Sequence, residues 1–311
     1  MSTNGQQFRP PTWRDWAQLV RLPALGTAWA DVGVGLAVAS AATNAAVVPM
    51  AVVLLALATT LFYSAGMILN DVFDLEEDRR DRPHRPLPAG RIRVRLAAAT
   101  GASLAFAGWG LAVLAGWLAD SSAAWIGLLL ALAIVGYDAG LKRTLLGPWV
   151  MASCRFMNVL LASSCTSAPI GAPHLATAGV VGLYILGVTW FARDEAGRSR
   201  RSTLALGLGC MAAAWLSLGI LPLLFPREIN DAEKLVFLLG GLGFLIWLAI
   251  PLRQAWIEPE AGPVQAGVKR SLLGLIVLDS LLAFVWVGWP GLLVLLLLPP
   301  ALLLGRWLYA T

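Results

Sequence analysis

The chain has 311 residues, of which 58% are hydrophobic and only 13% charged. Soluble domains carry about 25% charged residues, so a mean hydropathy of +0.73 excludes an ordinary soluble fold and makes lipid the solvent for most of the chain. The net charge of +5 does not imply nucleic acid: the basic residues lie between apolar runs, where they set topology and meet anionic headgroups or diphosphates.

Residues 1–21 are polar and contain Pro10, Pro11, Trp13 and Trp16. They lack the apolar core and small-residue cleavage site of a signal peptide, and a cytoplasmic tail with its tryptophans at headgroup level is expected. From residue 22 to 311 we expect a single bundle, since no linker, low-complexity tract or short repeat interrupts it. Apolar runs able to cross about 30 Å of hydrocarbon recur at 22–41, 47–69, 96–118, 122–140, 148–168, 176–192, 203–225, 235–251, 268–288 and 291–308. The fold class is therefore an all-α polytopic membrane bundle. It has nine or ten transmembrane helices, depending on whether Pro290, Pro299 and Pro300 divide the last segment.

Segments 1–21, 70–95, 138–147, 193–202 and 252–270 are polar and basic, and the intervening loops are short or lack a basic excess. With the first set in the cytoplasm, 20 of the 23 Lys and Arg residues fall on that side. Only Arg227 and Lys234 lie outside, and Arg155 sits within a span. This is a positive-inside pattern, expected for a protein of a bacterial-type inner membrane. Cys154, Cys165 and Cys210 lie in apolar stretches without metal spacing and read as small buried hydrophobes.

The second span ends in Asn70-Asp71-Val72-Phe73-Asp74-Leu75-Glu76-Glu77-Asp78. If this segment is helical, Asn70, Asp74 and Asp78 share one face over about 12 Å. Such a row of oxygens calls for a cation, and Mg²⁺ takes one or two protein carboxylates and fills its shell with water and phosphate oxygens. The alternative is a solvated acidic helix end paired with Arg79, Arg80 and Arg82. Against it, the row begins inside an apolar span. It is also followed by a Pro-set basic turn, Arg82-Pro83-His84-Arg85-Pro86-Leu87-Pro88-Ala89-Gly90-Arg91, in which Arg85 suits an anion held through a cation.

The pattern NDxxDxxxD followed by RPLPAGRI resembles the first Asp-rich signature of the UbiA superfamily of intramembrane prenyltransferases. The resemblance extends over nearly the whole chain, and YDAGLKR, ARDEAG and the final hairpin are similar to its EboC-like branch. It implies that Asn70, Asp74 and Asp78 bind Mg²⁺ and an isoprenoid diphosphate, with Asp71 a further contributor. Tyr137 and the Lys142-Arg143 pair after the fourth span are similar to the family's diphosphate-holding loop; ordinary positive-inside charge is the other reading of the two cations. Arg155 and Asn158, three apart in the fifth span, are expected to face the bundle interior and the substrate.

The family's second Asp-rich motif falls on Arg193-Asp194-Glu195-Ala196-Gly197-Arg198. Asp194 stands where the first Asp belongs, as a candidate metal ligand, but Arg198 occupies the place of the second. Three readings stand: Glu195 substitutes for the second Asp at a different spacing, Arg193 and Arg198 touch the diphosphate directly, or activity is altered. The resemblance thus implies Mg²⁺-dependent transfer of an isoprenoid chain from a prenyl diphosphate to an unidentified aromatic or hydroxyl acceptor, among membrane lipids and without an organic cofactor. The alternative is an isoprenoid- or lipid-binding accessory protein of the same fold.

Overall fold

In a computed structural model, residues 10–309 are described; residues 1–9 of the expected tail lie outside them. Regular structure among the described residues is helical throughout, as hydrocarbon demands, because a helix satisfies its own backbone where water is absent. The helices are α1 (Trp13–Leu19), α2 (Leu25–Ala42), α3 (Pro49–Phe73), α4 (Leu75–Asp81), α5 (Val94–Ala119), α6 (Ala123–Ala139), α7 (Gly147–Ser163), α8 (Ala172–Phe191), α9 (Arg201–Leu224), α10 (Asp231–Ile257), α11 (Ala261–Val287) and α12 (Leu298–Tyr309). Eight helical segments are long and apolar enough to cross a membrane. α6 and α7, with 17 residues each, fall just short of the ~20 residues that span the hydrocarbon upright. Every apolar run expected to span is thus a helix, and the protein is an integral membrane protein.

Two boundaries differ from the sequence reading. The basic segment expected as a loop at 252–270 is mostly helix, because α10 runs to Ile257 and α11 starts at Ala261. The last expected span is a 3-10 segment, Trp289–Leu297, leading into α12. Gly288 enters it in the left-handed region at φ 67°, and Pro290 fills its first turn. Pro299 and Pro300 fall in the first turn of α12, where the missing N–H has no intrahelical partner to lose.

α2, α8 and α11 are the most buried spans, while α10 and the terminal segment present mostly lipid-facing surface. Leu, Val and aromatic side chains of α7, α8, α9 and α11 form the largest apolar cluster. Since lipid is as apolar as Leu, close backbone approach holds such helices together. The clearest case is α8 on α9: a Cβ at Gly187 would lie 2.6 Å from the carbonyl oxygen of Gly207. α1 lies at the end of the bundle, with Leu19 packed against Ile68, Leu87 and Ile92 and Trp13 stacked on Trp307.

Candidate active site

The site is built where α3 leaves its span. Asn70 Nδ2 donates to Asp138 Oδ1 of α6 at 2.9 Å. Asp74 interrupts the helix with φ −91° and ψ 6°, so the expected continuous helix over the acidic row bends there. The i−4 hydrogen bonds persist across the bend, from Asp74 N to Asn70 O at 2.9 Å and from Asp78 N to Asp74 O at 2.8 Å. Lys142, on a 3-10 turn after α6, bridges two carboxylates: its Nζ lies 2.7 Å from Asp74 Oδ2 and 3.9 Å from Asp138 Oδ1. Arg143 stands 3.6 Å from Asp74 Oδ1.

A cavity of about 360 Å³ runs inward from this cluster. Asn70 and Thr59, both lining it, are eleven residues apart on α3, about 16 Å along the helix. Its walls are apolar, with Phe62, Leu130, Ile134 and Met151. Its deep end is polar again, where Thr59 Oγ1 donates to Asn158 Oδ1 at 2.8 Å beside Arg155. A second cavity of about 310 Å³ adjoins the first, sharing Asp74, Tyr137, Lys142 and Glu195 with it and adding Arg143 and Arg193.

The structure therefore divides the residues singled out from sequence. Asn70, Asp74, Tyr137, Lys142, Arg155 and Asn158 line the larger cavity; Arg143 and Arg193 line the smaller one. Asp71 and Asp78 line neither. Both are buried, at 3% and 2% exposure, around Arg85, whose Nη1 lies 2.7 Å from Asp78 and 3.4 Å from Asp71. Asp194 also lines neither cavity. Its Oδ2 accepts from Arg200 Nε at 3.1 Å and Thr203 Oγ1 at 3.0 Å, bracing the start of α9. Burial pushes the Asp194 carboxyl up, but the Arg200 and Thr203 hydrogen bonds outweigh it and hold it below the usual range. Arg198 is exposed, 3.6 Å from Glu260.

Glu195, one residue on, lines both cavities. Burial pushes its carboxyl up, with Arg82 and Arg21 opposing part of the rise. Sequence reasoning named Glu195 as a substitute for the missing Asp but passed over Asp138 and Arg21, which also line the larger cavity. Asp138 had a legible signal, four residues before Lys142. Arg21 had none: it adopts a left-handed φ of 48°, rare for a residue with a Cβ, and its carbonyl accepts from Tyr63 Oη at 3.1 Å. From that position its Nη2 reaches Asp71 Oδ1 at 3.0 Å and Asn70 Oδ1 at 3.5 Å.

The sequence profile of the UbiA prenyltransferase family matches residues 32–265, three quarters of the chain. The chain belongs to the UbiA prenyltransferase family. Its UbiA fold is shared with a UbiA homolog from Aeropyrum pernix (TM-score 0.65, 16% identity, covering 84% of this chain and 97% of that one). It is shared too with a UbiA homolog from Archaeoglobus fulgidus bound to DMAPP and Mg²⁺ (TM-score 0.57, 14% identity, 86% and 99% covered). Among curated relatives, the digeranylgeranylglyceryl phosphate synthase of Sulfurisphaera tokodaii is 36% identical over 97 residues, which are 31% of this chain and 34% of the synthase. The chain thus matches about a third of the length of that relative.

The residues at the cavity mouth offer the hard oxygen ligands that Mg²⁺ takes. Among the described residues, no three carboxylate, imidazole or thiol groups converge on one ion, but Mg²⁺ needs fewer, completing its shell with water and phosphate. Asp74 Oδ1 is buried and accepts no hydrogen bond, which leaves a hard oxygen available. Asn70 and Asp138 add oxygen donors beside it.

Proposed function

We propose that this chain transfers an allylic isoprenoid group from a prenyl diphosphate to an acceptor within the membrane, using Mg²⁺. The observation that carries the reading is one cavity whose mouth combines acidic oxygens with cations (Asn70, Asp74, Asp138, Lys142, Arg21) and whose walls are apolar. That is the polarity of a molecule with a diphosphate head and a hydrocarbon tail. Asn70 and Asp74, with Asp138, would hold the metal, which when bound neutralises diphosphate charge and improves the leaving group. Lys142, and Arg143 from the adjoining cavity, donate to the departing oxygens. As the C–O bond breaks, its electron pair leaves with the diphosphate, and the allylic cation is shielded from water by Phe62, Leu130 and Ile134. The acceptor, an aromatic carbon or a hydroxyl, then forms the new bond to carbon and releases its proton.

The basic segments 70–95, 138–147 and 193–202 meet at the mouth, so the site opens to the cytoplasm of a bacterial-type inner membrane, and residues 22–311 act as one bundle. Turnover by the purified protein tests the reading. Given Mg²⁺ and prenyl diphosphates of increasing length, it should release diphosphate and form a prenylated product, measured by mass spectrometry. The withdrawal of Asp78 and Asp194 from the cavities favours a second reading, an isoprenoid-binding accessory protein. Mg²⁺-dependent binding of the diphosphates without product would establish that instead, and no binding at all refutes both.

A further inference from the structure

The deep end of the larger cavity rests on a polar cluster that prenyl transfer does not use. Asp31 of α2 and Asp279 of α11 are both 0% exposed, inside spans where an ionisable group is costly. Asp31 Oδ2 accepts from Arg155 Nη1 at 3.0 Å and from Asn158 Nδ2 at 2.9 Å. Arg155 Nη2 donates to Thr27 Oγ1 at 2.7 Å. The carboxyl of Asp279 lies within hydrogen-bonding reach of that of Asp31. Yet no donor among the described residues reaches Asp31 Oδ1 or either oxygen of Asp279.

Counting charge decides what this arrangement needs. The other titratable groups facing the cluster are Tyr184 of α8, Tyr63 of α3 and Cys154 of α7. Tyr184 donates to the Ser271 carbonyl and Tyr63 to the Arg21 carbonyl; phenols and thiols are neutral at pH 7. Two carboxyls therefore face one guanidinium. With both ionised, the cluster would bury a net negative charge and three carboxylate oxygens without donors, which an interior does not tolerate. One proton between the carboxyls removes the charge and supplies the missing donor. A bound metal ion fits less well, since no three ligating groups converge among the described residues.

We propose that Asp31 and Asp279 share one proton at neutral pH, joining α2 to α11, and that the resulting neutral cluster fixes the Arg155 guanidinium and Asn158 at the deep end of the cavity. Asp31 and Asp279 are positioning residues, acting on the cavity through Arg155, whatever reaction the cavity carries. Asp279→Asn provides a permanent donor of the same shape in place of the shared proton.

Infrared spectroscopy of the protein in lipid nanodiscs, in H₂O and in D₂O at neutral pH, tests the proposal directly. The wild type should show a protonated-carboxyl band that shifts in D₂O and persists in Glu195→Gln but is lost in Asp279→Asn. A band unchanged by Asp279→Asn overturns the proposal. Should Asp279→Asn not fold, Asp279→Glu keeps the carboxyl and should move the band; an unmoved band is equally fatal to it.

Discussion

Replacing Lys142 by methionine separates the role of this cation in binding from its role in the fold. Its side chain is 12% exposed and lies between Asp74, 18% exposed, and Asp138, 3% exposed. Without it, both carboxylates keep only weaker or longer-range cations, of which Arg143, 3.6 Å from Asp74, is largely exposed. Breaking a fully buried pair costs about 3–5 kcal/mol. This pair opens onto a cavity, so solvent screening reduces the loss of stability to about 1–3 kcal/mol. Lys142→Met/Asp74→Asn removes the orphaned charge and should recover most of that loss. Binding responds differently: a charge-assisted hydrogen bond is worth about 1.5–3 kcal/mol, a roughly ten- to 150-fold increase in Kd. The single variant should show that loss and the double variant should not regain it. The assay is calorimetric titration with a prenyl thiolodiphosphate, which does not ionise, at saturating Mg²⁺. A wild-type Kd in folded Lys142→Met would refute the placement of the diphosphate at the cavity mouth.

The other predictions follow from the same geometry. Asp74→Asn should abolish Mg²⁺-dependent binding of the analogue, whereas Asp78→Asn, walled off beside Arg85, should lower thermal stability more than affinity; equal losses of affinity would place Asp78 in the binding machinery after all. Affinity should fall as pH rises through the elevated titration of Glu195, because its ionised carboxylate repels the diphosphate, and Glu195→Gln should flatten this profile. Arg198→Ala should change affinity by less than ~0.5 kcal/mol, as expected for an exposed side chain paired with Glu260; a tenfold weakening would return it to the site. Single cysteines at Glu76 and Arg200 should resist an impermeant thiol reagent applied to intact cells, and ready labelling of either would reverse the orientation.

Much of the site was legible because short-range spacing carried it. Asn70 and Asp74 are one helical turn apart, so periodicity pointed to them, whereas Tyr137 and Lys142, at the end of a single helix, were pointed to by the resemblance of their loop to that of the family. Spacing does not show that Asp78 is paired with Arg85 across a Pro-rich turn. Nor does it show that Asp194, at the motif position, is engaged by Arg200 and Thr203 at the start of α9. The carboxylate lining the cavities is its neighbour, Glu195.

The sequence by itself determined the all-helical membrane class and the sites of the turns, because lipid acts on every segment locally: each span must be apolar for about 20 residues and must satisfy its own backbone. Basic residues between spans carry the expected orientation in the same local way. Only the tertiary structure decided which polar groups meet inside. Asn70 and Asp138 are 68 residues apart, and Arg155 and Asp31 are 124 apart. Nothing in the periodicity of α2 or α11 shows that Asp31 and Asp279 face each other. Their pairing is a property of how helices pack, set by close-packed small residues and charge balance in a medium without water.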